Sequence, residues 1–226
     1  MNPELVTDMR KRSMTLEEHN AQLKAEGKWD ELVARREAQE KVHAARSARL
    51  RAEEEALLKD LSAVGWQVDS VWDLVNTSAN YAEAIPVLLR HLLLPYSDRT
   101  REGIARALAV PTARTAWPTL VEEYRKAPMG MGPIAPGEAE ELRLGAKDGL
   151  ACALAATATE DVMPELVALA KDPSHGPSRC LFLSALKRSK SDMARAALKE
   201  LASDPDLKKE IASSRHDRLR DAGTHV

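Results

Sequence analysis

The sequence contains few aromatic residues and few cysteines. Its 226 residues include four Trp, three Tyr and one Phe, and only two cysteines, Cys152 and Cys180. Because aromatic residues make up 4% and hydrophobic residues 44% of the chain, a buried core has to be built from Leu, Ala and Val, a mixture that suits helix-on-helix packing. Two isolated cysteines provide no disulfide framework and no CxxC motif, which indicates a reducing, cytoplasmic environment.

The sequence also lacks an excess of charge of either sign and any long apolar run. The formal net charge is −2, with acidic and basic residues mixed along the chain, so the net charge predicts no non-specific attraction to nucleic acid. No run of 18 apolar residues exists to span a membrane, and the first residues have no apolar segment typical of a signal peptide. We therefore expect a cytoplasmic protein without a membrane partner.

Motifs for catalysis and for metal binding are missing as well. The six histidines show no H-x-x-x-H or H-E-x-x-H spacing, so no zinc site is predicted. No P-loop, dinucleotide-binding fingerprint or G-x-S-x-G elbow is present. Cys152 falls in an Ala/Leu-rich stretch and Cys180 precedes Leu-Phe-Leu, which is typical of buried small hydrophobic side chains rather than nucleophiles. We expect no catalytic residue, no metal and no cofactor.

What the sequence does contain is a repeated pair of short amphipathic helical patterns. The first pattern has an early proline, or alanine in the last unit, at four equivalent positions spaced by 32, 46 and 32 residues: Pro86, Pro118, Pro164 and Ala196. The second pattern is basic-x-x-hydrophobic-x-x-Ala-Leu, and its final leucines lie 46 and 32 residues apart: Leu108, Leu154 and Leu186. The longer step in both series is one 14-residue insertion in the second unit. Units of this length and kind predict a stacked α-solenoid.

This repeated pair of helical sequence patterns resembles HEAT-like repeats of the short bacterial kind. The runs WDLVNT, AIPVLLRHL and EGIARALAV also resemble a group of uncharacterised bacterial HEAT-like proteins. The resemblance covers roughly residues 84–205. In the third unit, the large residues Leu181 and Phe182 depart from the small residues that the repeat pattern favours. It implies an all-α fold without a sheet, a short right-handed α-solenoid of HEAT-like helix pairs whose second helices line a concave face, and no particular activity.

Local helix signals divide the chain into four parts. Residues 1–14 and 213–226 are expected to be flexible tails. A capping box at Thr15 and Glu18, followed by a stretch without Pro or Gly from residue 29 to a C-cap at Gly65, predicts a helical arm over residues 15–65 with a long N-terminal helix. Residues 66–212 are predicted to form the repeat solenoid. A short helix around Trp72, with Asp69 or Ser70 as its N-cap, is expected to close the open end of the first repeat.

The helical arm leaves two interpretations open. It is either a solvated helix packed edge-on to the solenoid or a surface that pairs with a partner or a second copy. The first is favoured because no strict heptad persists over the three or more repeats that a coiled coil needs. Within the repeats, Thr115 and Asp161 are the expected N-caps of the helices that contain Pro118 and Pro164, which places both prolines in the first helical turn.

Aligned basic residues begin successive second helices at Arg101, Lys147 and Arg179. They form either an internal ladder, with Asp98 as a possible acid for Arg101, or a basic groove for an acidic partner, and the ladder is favoured. Neighbouring charged residues complete the predicted partner-binding set on the concave face: Arg99, Glu102, Arg106, Asp148, Lys187 and Arg188.

The insertion, residues 127–137, holds three prolines and three glycines and is predicted to be a loop. Its Met129, Met131 and Ile134 are flexible apolar side chains suited to adaptable contacts. Either the loop folds back over the groove as packing or it stays free and contacts a partner. Contact is slightly favoured, because loops commonly carry function.

The predicted function is a non-catalytic protein-binding α-solenoid, and within that class a bacterial immunity protein that neutralises a toxin. The partner would be another protein, either acidic or a toxin, with nucleic acid less expected. One alternative is a DNA-repair enzyme, since one family of alkylpurine glycosylases is built from HEAT-like repeats; the slightly acidic composition counts against it. The other is a structural or regulatory protein that self-associates through residues 15–65.

Overall fold

The computed structural model describes residues 14–212, and 71% of them are helical. The all-α prediction is confirmed at this level, while the tails predicted at the two ends lie outside the described residues except for Met14. The chain divides into two compact units, Met1–Ser47 and Ala48–Val226. The α-helices, in order, are α1 (Leu16–Ala25), α2 (Trp29–Ala63), α3 (Val71–Val75), α4 (Ile85–Leu92), α5 (Asp98–Ala107), α6 (Trp117–Lys126), α7 (Ala146–Thr157), α8 (Met163–Lys171), α9 (Leu183–Arg188) and α10 (Asp192–Leu201).

The first unit contains α1 and the beginning of α2. The predicted capping box is present: the Thr15 hydroxyl accepts a hydrogen bond from the Glu18 N–H, and the Glu18 carboxylate accepts one from the Thr15 N–H. No residue of α1 is buried. The Lys24 ammonium lies 4.9 Å from the centre of the Trp29 ring. This segment is therefore held by local interactions rather than by a core of its own.

The long helix α2 ends as its sequence predicts. Gly65 adopts a φ of +92°, and the N–H groups of Gly65 and Trp66 donate to the carbonyls of Ser62 and Leu61, which satisfies the last helical acceptors. The buried residues of α2 are Glu54, Leu57 and Leu61. All three lie in the second unit, so the end of α2 belongs to the main core.

The first helices of the repeats carry proline in their first turn, as predicted for Pro86, Pro118 and Pro164. The predicted N-caps Thr115 and Asp161 are wrong, because no side chain caps α6 or α8. Each helix instead follows a 3₁₀ turn, Pro111–Ala116 or Glu160–Val162. In these turns the Arg114 and Glu160 carbonyls accept the N–H groups of Trp117 and Met163, the first residues of α6 and α8.

The third sequence repeat does not form a regular second α-helix. The residues predicted to be helical from Arg179 onward begin in a 3₁₀ segment, Pro173–Phe182, and only then continue as α9. Gly176 interrupts this segment with a φ of 61° and a ψ of −150°, a backbone conformation that side-chain-bearing residues rarely adopt. The Gly176-Pro177 pair thus turns the chain within the 3₁₀ segment that precedes α9.

Close packing brings α3, α5 and α7 together. Ser70 caps α3, with a capping box to Asp73, so of the two predicted caps Ser70 is the one used. A Cβ atom at Gly103 of α5 would lie 2.6 Å from Val71 Cγ1 of α3, and a Cβ at Gly149 of α7 would lie 2.9 Å from the Glu102 carbonyl oxygen of α5. Glycine at these two positions lets neighbouring helices approach, and it places α5 beside α7.

The insertion is more ordered than a loop. Strand β1 (Met131–Gly132) pairs antiparallel with β2 (Leu142–Arg143), so that Met131 lies opposite Arg143. The prediction of a structure without any sheet is corrected by this short hairpin. Its pairing continues at Gly130, whose carbonyl accepts the N–H of Leu144, so the returning chain segment supplies the hydrogen bonds that an isolated loop would lack.

Candidate protein-interaction surface

The three aligned basic residues direct their charges to acceptors inside the protein. The Arg101 Nη2 donates to Glu123 Oε2 at 2.7 Å. The buried Lys147 donates to the carbonyl oxygens of Tyr124 and Ala127 at 2.9 and 3.2 Å, and its Nζ lies 4.6 Å from the Tyr124 ring centre. Both carbonyls belong to the C-terminal end of α6, where a positive charge is favourable.

Arg179 is fully buried and connects three parts of the chain. Its Nε donates to the Gly176 carbonyl at 3.0 Å, and Nη1 donates to Asp204 Oδ2 at 2.7 Å and more weakly to the Ala170 carbonyl. Its Nη2 donates to Asp206 Oδ2 at 3.2 Å. The hydrogen bond from Arg179 is the main cause of the lowered pKa of Asp204. Lys147 and Arg179 are therefore buried, and their charges are directed to acceptors within the protein.

Asp98 does not pair with Arg101, which corrects the expected ladder contact. Its carboxylate accepts hydrogen bonds from the N–H groups of Gly145 and Ala146 at 2.7 and 3.1 Å. These amides begin α7, so Asp98 on α5 caps the neighbouring helix across the packed pair. A carboxylate in this position also interacts favourably with the helix dipole.

The other predicted charged residues of α5 and α7 form a connected network. Glu102 accepts hydrogen bonds from Arg99 Nη1 and Arg106 Nε, both at 2.8 Å. Arg106 Nη1 also lies 3.6 Å from the Cys152 sulfur on α7. Arg143 of β2 donates to Asp148 Oδ2 at 2.6 Å. Arg143 was missed at the sequence level because it lies outside the repeated pattern, and only its place in the hairpin brings it to Asp148.

The carboxylates of this network are more buried than its arginines. The side chains of Glu102 and Asp148 are 11% and 20% exposed, whereas those of Arg99 and Arg143 are 42% and 70% exposed. Burial raises the pKa of Asp148, against the opposing effect of Arg143 and Arg106. The acids thus lie beneath the guanidinium groups and hold them, while the arginines face solvent.

Lys187 and Arg188 extend the same surface along α9. Arg188 Nη2 donates to the Ala155 carbonyl of α7 at 2.6 Å. Both residues line a groove of about 490 Å³ together with Cys152, Cys180 and the acidic Glu210. Burial raises the pKa of both cysteine thiols, so the two thiols are protonated at neutral pH. We define the cationic face by the residues of this continuous surface: Arg99, Glu102, Arg106, Arg143, Asp148, Cys152, Lys187 and Arg188.

The insertion combines an anchored backbone with exposed methionines. The Arg99 N–H donates to the Ile134 carbonyl at 3.0 Å, and the Ile134 side chain is half-buried. Met129 and Met131, by contrast, are 45% and 60% exposed. A cavity of about 250 Å³ lies beside them. The two interpretations of the insertion therefore apply to different atoms, since the backbone packs and the methionine side chains remain accessible.

Comparison of the chain with protein-family models, with curated proteins and with solved structures finds no match. Between residues 14 and 212, no helix has both the length and the apolar character needed to cross a membrane. The same part of the chain holds no group of three or more His, Cys, Asp or Glu side chains placed to bind a metal ion.

Proposed function

We propose that the chain is a non-catalytic, cytoplasmic protein-binding protein, built as a short right-handed HEAT-like α-solenoid, and that its cationic face binds an acidic segment of a partner protein. The observation that carries this proposal is the layering of charge, with Glu102 and Asp148 beneath and Arg99 and Arg143 exposed. Complementary charge of this kind steers association and selects among partners.

The arginines of the cationic face are held in place before a partner arrives. The Arg99 guanidinium lies 3.9 Å from the centre of the Trp72 ring while it donates to Glu102, and Arg106 donates to the same carboxylate. A side chain that is already fixed loses less conformational entropy on binding. Guanidinium groups also match the planar geometry of carboxylates, so an acidic peptide is a suitable ligand for this face.

The narrower form of the proposal is an immunity protein whose partner is a toxin. Small size, a helical fold and the lack of recognisable catalytic motifs in the sequence support it. If the host produces that toxin, deletion of the gene for this chain should slow growth, and deletion of the toxin gene should restore it. Normal growth after the single deletion would instead favour a partner that is not toxic to the host.

A charge reversal at Arg143 tests the acidic-partner proposal. Arg143→Glu changes a mostly exposed residue, and Arg195→Glu is a matched control, because Arg195 is 61% exposed and ion-paired with Asp192 on α10. Affinity capture with the wild-type chain would identify a partner, and titration calorimetry with the purified partner would measure Kd at two salt concentrations.

We expect Arg143→Glu to weaken binding on the order of tenfold, Arg195→Glu to leave it unchanged, and added salt to weaken the wild-type complex. Equal affinities for all three proteins, or an affinity that salt does not change, would contradict an acidic partner at the cationic face. Melting temperatures well above the assay temperature for both variants would separate a binding effect from misfolding.

A further inference from the structure

The small cavity beside the insertion hairpin has mostly apolar walls. Met129 and Met131 come from the insertion, Leu144 follows β2, and Pro177 belongs to the 3₁₀ segment before α9. The hairpin backbone is fixed by the pairing of β1 with β2 and by the hydrogen bond from the Leu144 N–H to the Gly130 carbonyl. The cavity is therefore formed without a ligand, while the methionines can adapt to what enters.

Apart from the exposed Arg143 guanidinium, the polar side chains that line this cavity already have hydrogen-bond partners within the protein. Lys147 donates to two backbone carbonyls at the end of α6, Ser178 donates to the His175 carbonyl, and Asp148 accepts from Arg143. An apolar group entering the cavity would break none of these hydrogen bonds. A polar group would lose water and find its best partners committed elsewhere, which costs free energy. The lining therefore selects an apolar occupant.

The volume of the cavity and the charge of the neighbouring Arg143 further restrict which group can bind there. About 250 Å³ is less than the 300 Å³ or more that is typical of pockets for small-molecule ligands, but it is enough for one aliphatic side chain. Across the two-stranded ladder, Met131 lies opposite Arg143, so an apolar rim and an exposed guanidinium stand side by side. A ligand that uses both must carry an aliphatic side chain next to a carboxylate.

We propose that this cavity is a specificity pocket that takes one leucine or methionine side chain of the acidic partner segment, with the neighbouring carboxylates of that segment on Arg143. The inference rests on the proposed function, because the cationic face supplies the charge that holds the segment. The pocket adds selectivity: acidic segments with an aliphatic anchor bind, and acidic segments without one bind more weakly.

Synthetic peptides separate the pocket from the charge. Fluorescence anisotropy would follow labelled heptapeptides Glu-Asp-Glu-X-Glu-Asp-Glu, with X as Gly, Leu, Met or Trp, and a series with Lys in place of every acid. We expect the Leu and Met peptides to bind about tenfold more tightly than the Gly peptide, as the burial of one aliphatic side chain implies. The Trp peptide should gain less, and the Lys series should not bind.

Substitutions at Met131 test whether the anchor enters this cavity. Met131→Phe fills the rim and should remove the preference for Leu over Gly, whereas Met131→Ala opens it and should improve binding of the Trp peptide. In each variant the affinity for the Leu or Trp peptide is compared with that for the Gly peptide, so that a general loss of binding is not mistaken for a change in anchor preference. Met193→Ala is the matched control, because Met193 is also an exposed methionine but lies on α10.

The possible outcomes distinguish the two proposals. Equal binding of all acidic peptides would overturn the specificity pocket and leave the acidic-partner function standing. Binding of the Lys series as tightly as the acidic series would overturn both. A Leu preference that persists in Met131→Phe would also overturn the pocket, because the anchor would then bind elsewhere.

Discussion

Replacing Arg179 by alanine should destabilise the protein by about 2–4 kcal/mol. The side chain is fully buried and donates to Asp204, to Asp206 and to the carbonyls of Gly176 and Ala170. Removing one partner of a buried ion pair typically costs about 3–5 kcal/mol. Here the cost should lie near or below the lower end of that range, because the Asp204 and Asp206 side chains are 20% and 60% exposed and can regain water.

Urea unfolding followed by circular dichroism would measure this loss. Arg179→Met removes the charge and the hydrogen bonds but keeps much of the side-chain volume, so it separates electrostatic loss from a cavity. A double-mutant cycle with Asp204→Asn would give the coupling energy of the pair. The control is Arg195→Ala, an exposed arginine on α10, which should change stability by less than about 0.5 kcal/mol. An Arg179→Ala protein as stable as this control would refute the reasoning.

Three further substitutions have defined outcomes. Gly103→Ala should lower the free energy of unfolding by about 1–3 kcal/mol through overpacking, because its Cβ would lie 2.6 Å from Val71 Cγ1; an unchanged urea midpoint would contradict the close approach. Burial raises the pKa of Glu54 above its ordinary value of 4.5, so the folded state binds the carboxyl proton more tightly than the unfolded chain does. The free energy of unfolding should therefore increase as the pH falls from the raised pKa toward 4.5. Glu54→Gln should remove this gain without lowering stability at pH 7, and melting temperatures measured against pH would show it. The lowered pKa of Asp204 has the opposite effect on the pH dependence of stability. Ionised Asp204 stabilises the folded state above its ordinary pKa of 3.8, and this stabilisation is lost as the pH falls through the lowered pKa. Asp204→Asn should therefore match the stability of the wild type only in strong acid.

Local sequence signals predicted the helices well. The capping box at Thr15, the glycine at position 65 and the prolines of the first helices act over a few residues, so their effect can be deduced from the neighbouring sequence. The same kind of reasoning was wrong at Thr115 and Asp161. There the backbone of a 3₁₀ turn satisfies the first amides, and nothing in the local sequence separates that solution from a side-chain cap.

Contacts between distant residues could not be deduced from one sequence. Asp98 caps α7 at Gly145 and Ala146, 47 and 48 residues along the chain, and this depends on how α5 packs on α7. The hairpin of the insertion depends likewise on the return of Arg143 to Met131. Only the three-dimensional structure divides the predicted charged residues into buried and accessible ones. Lys147 is buried, whereas Arg99 is accessible.

The most direct test of an acidic-partner surface is to locate where the peptide Glu-Asp-Glu-Leu-Glu-Asp-Glu binds, by amide chemical-shift changes at low and at high salt. The cationic face predicts changes in α5, in the hairpin, at the beginning of α7 and in α9, which diminish as salt increases. Changes concentrated in α1 or α10, or no changes at low salt, would contradict it.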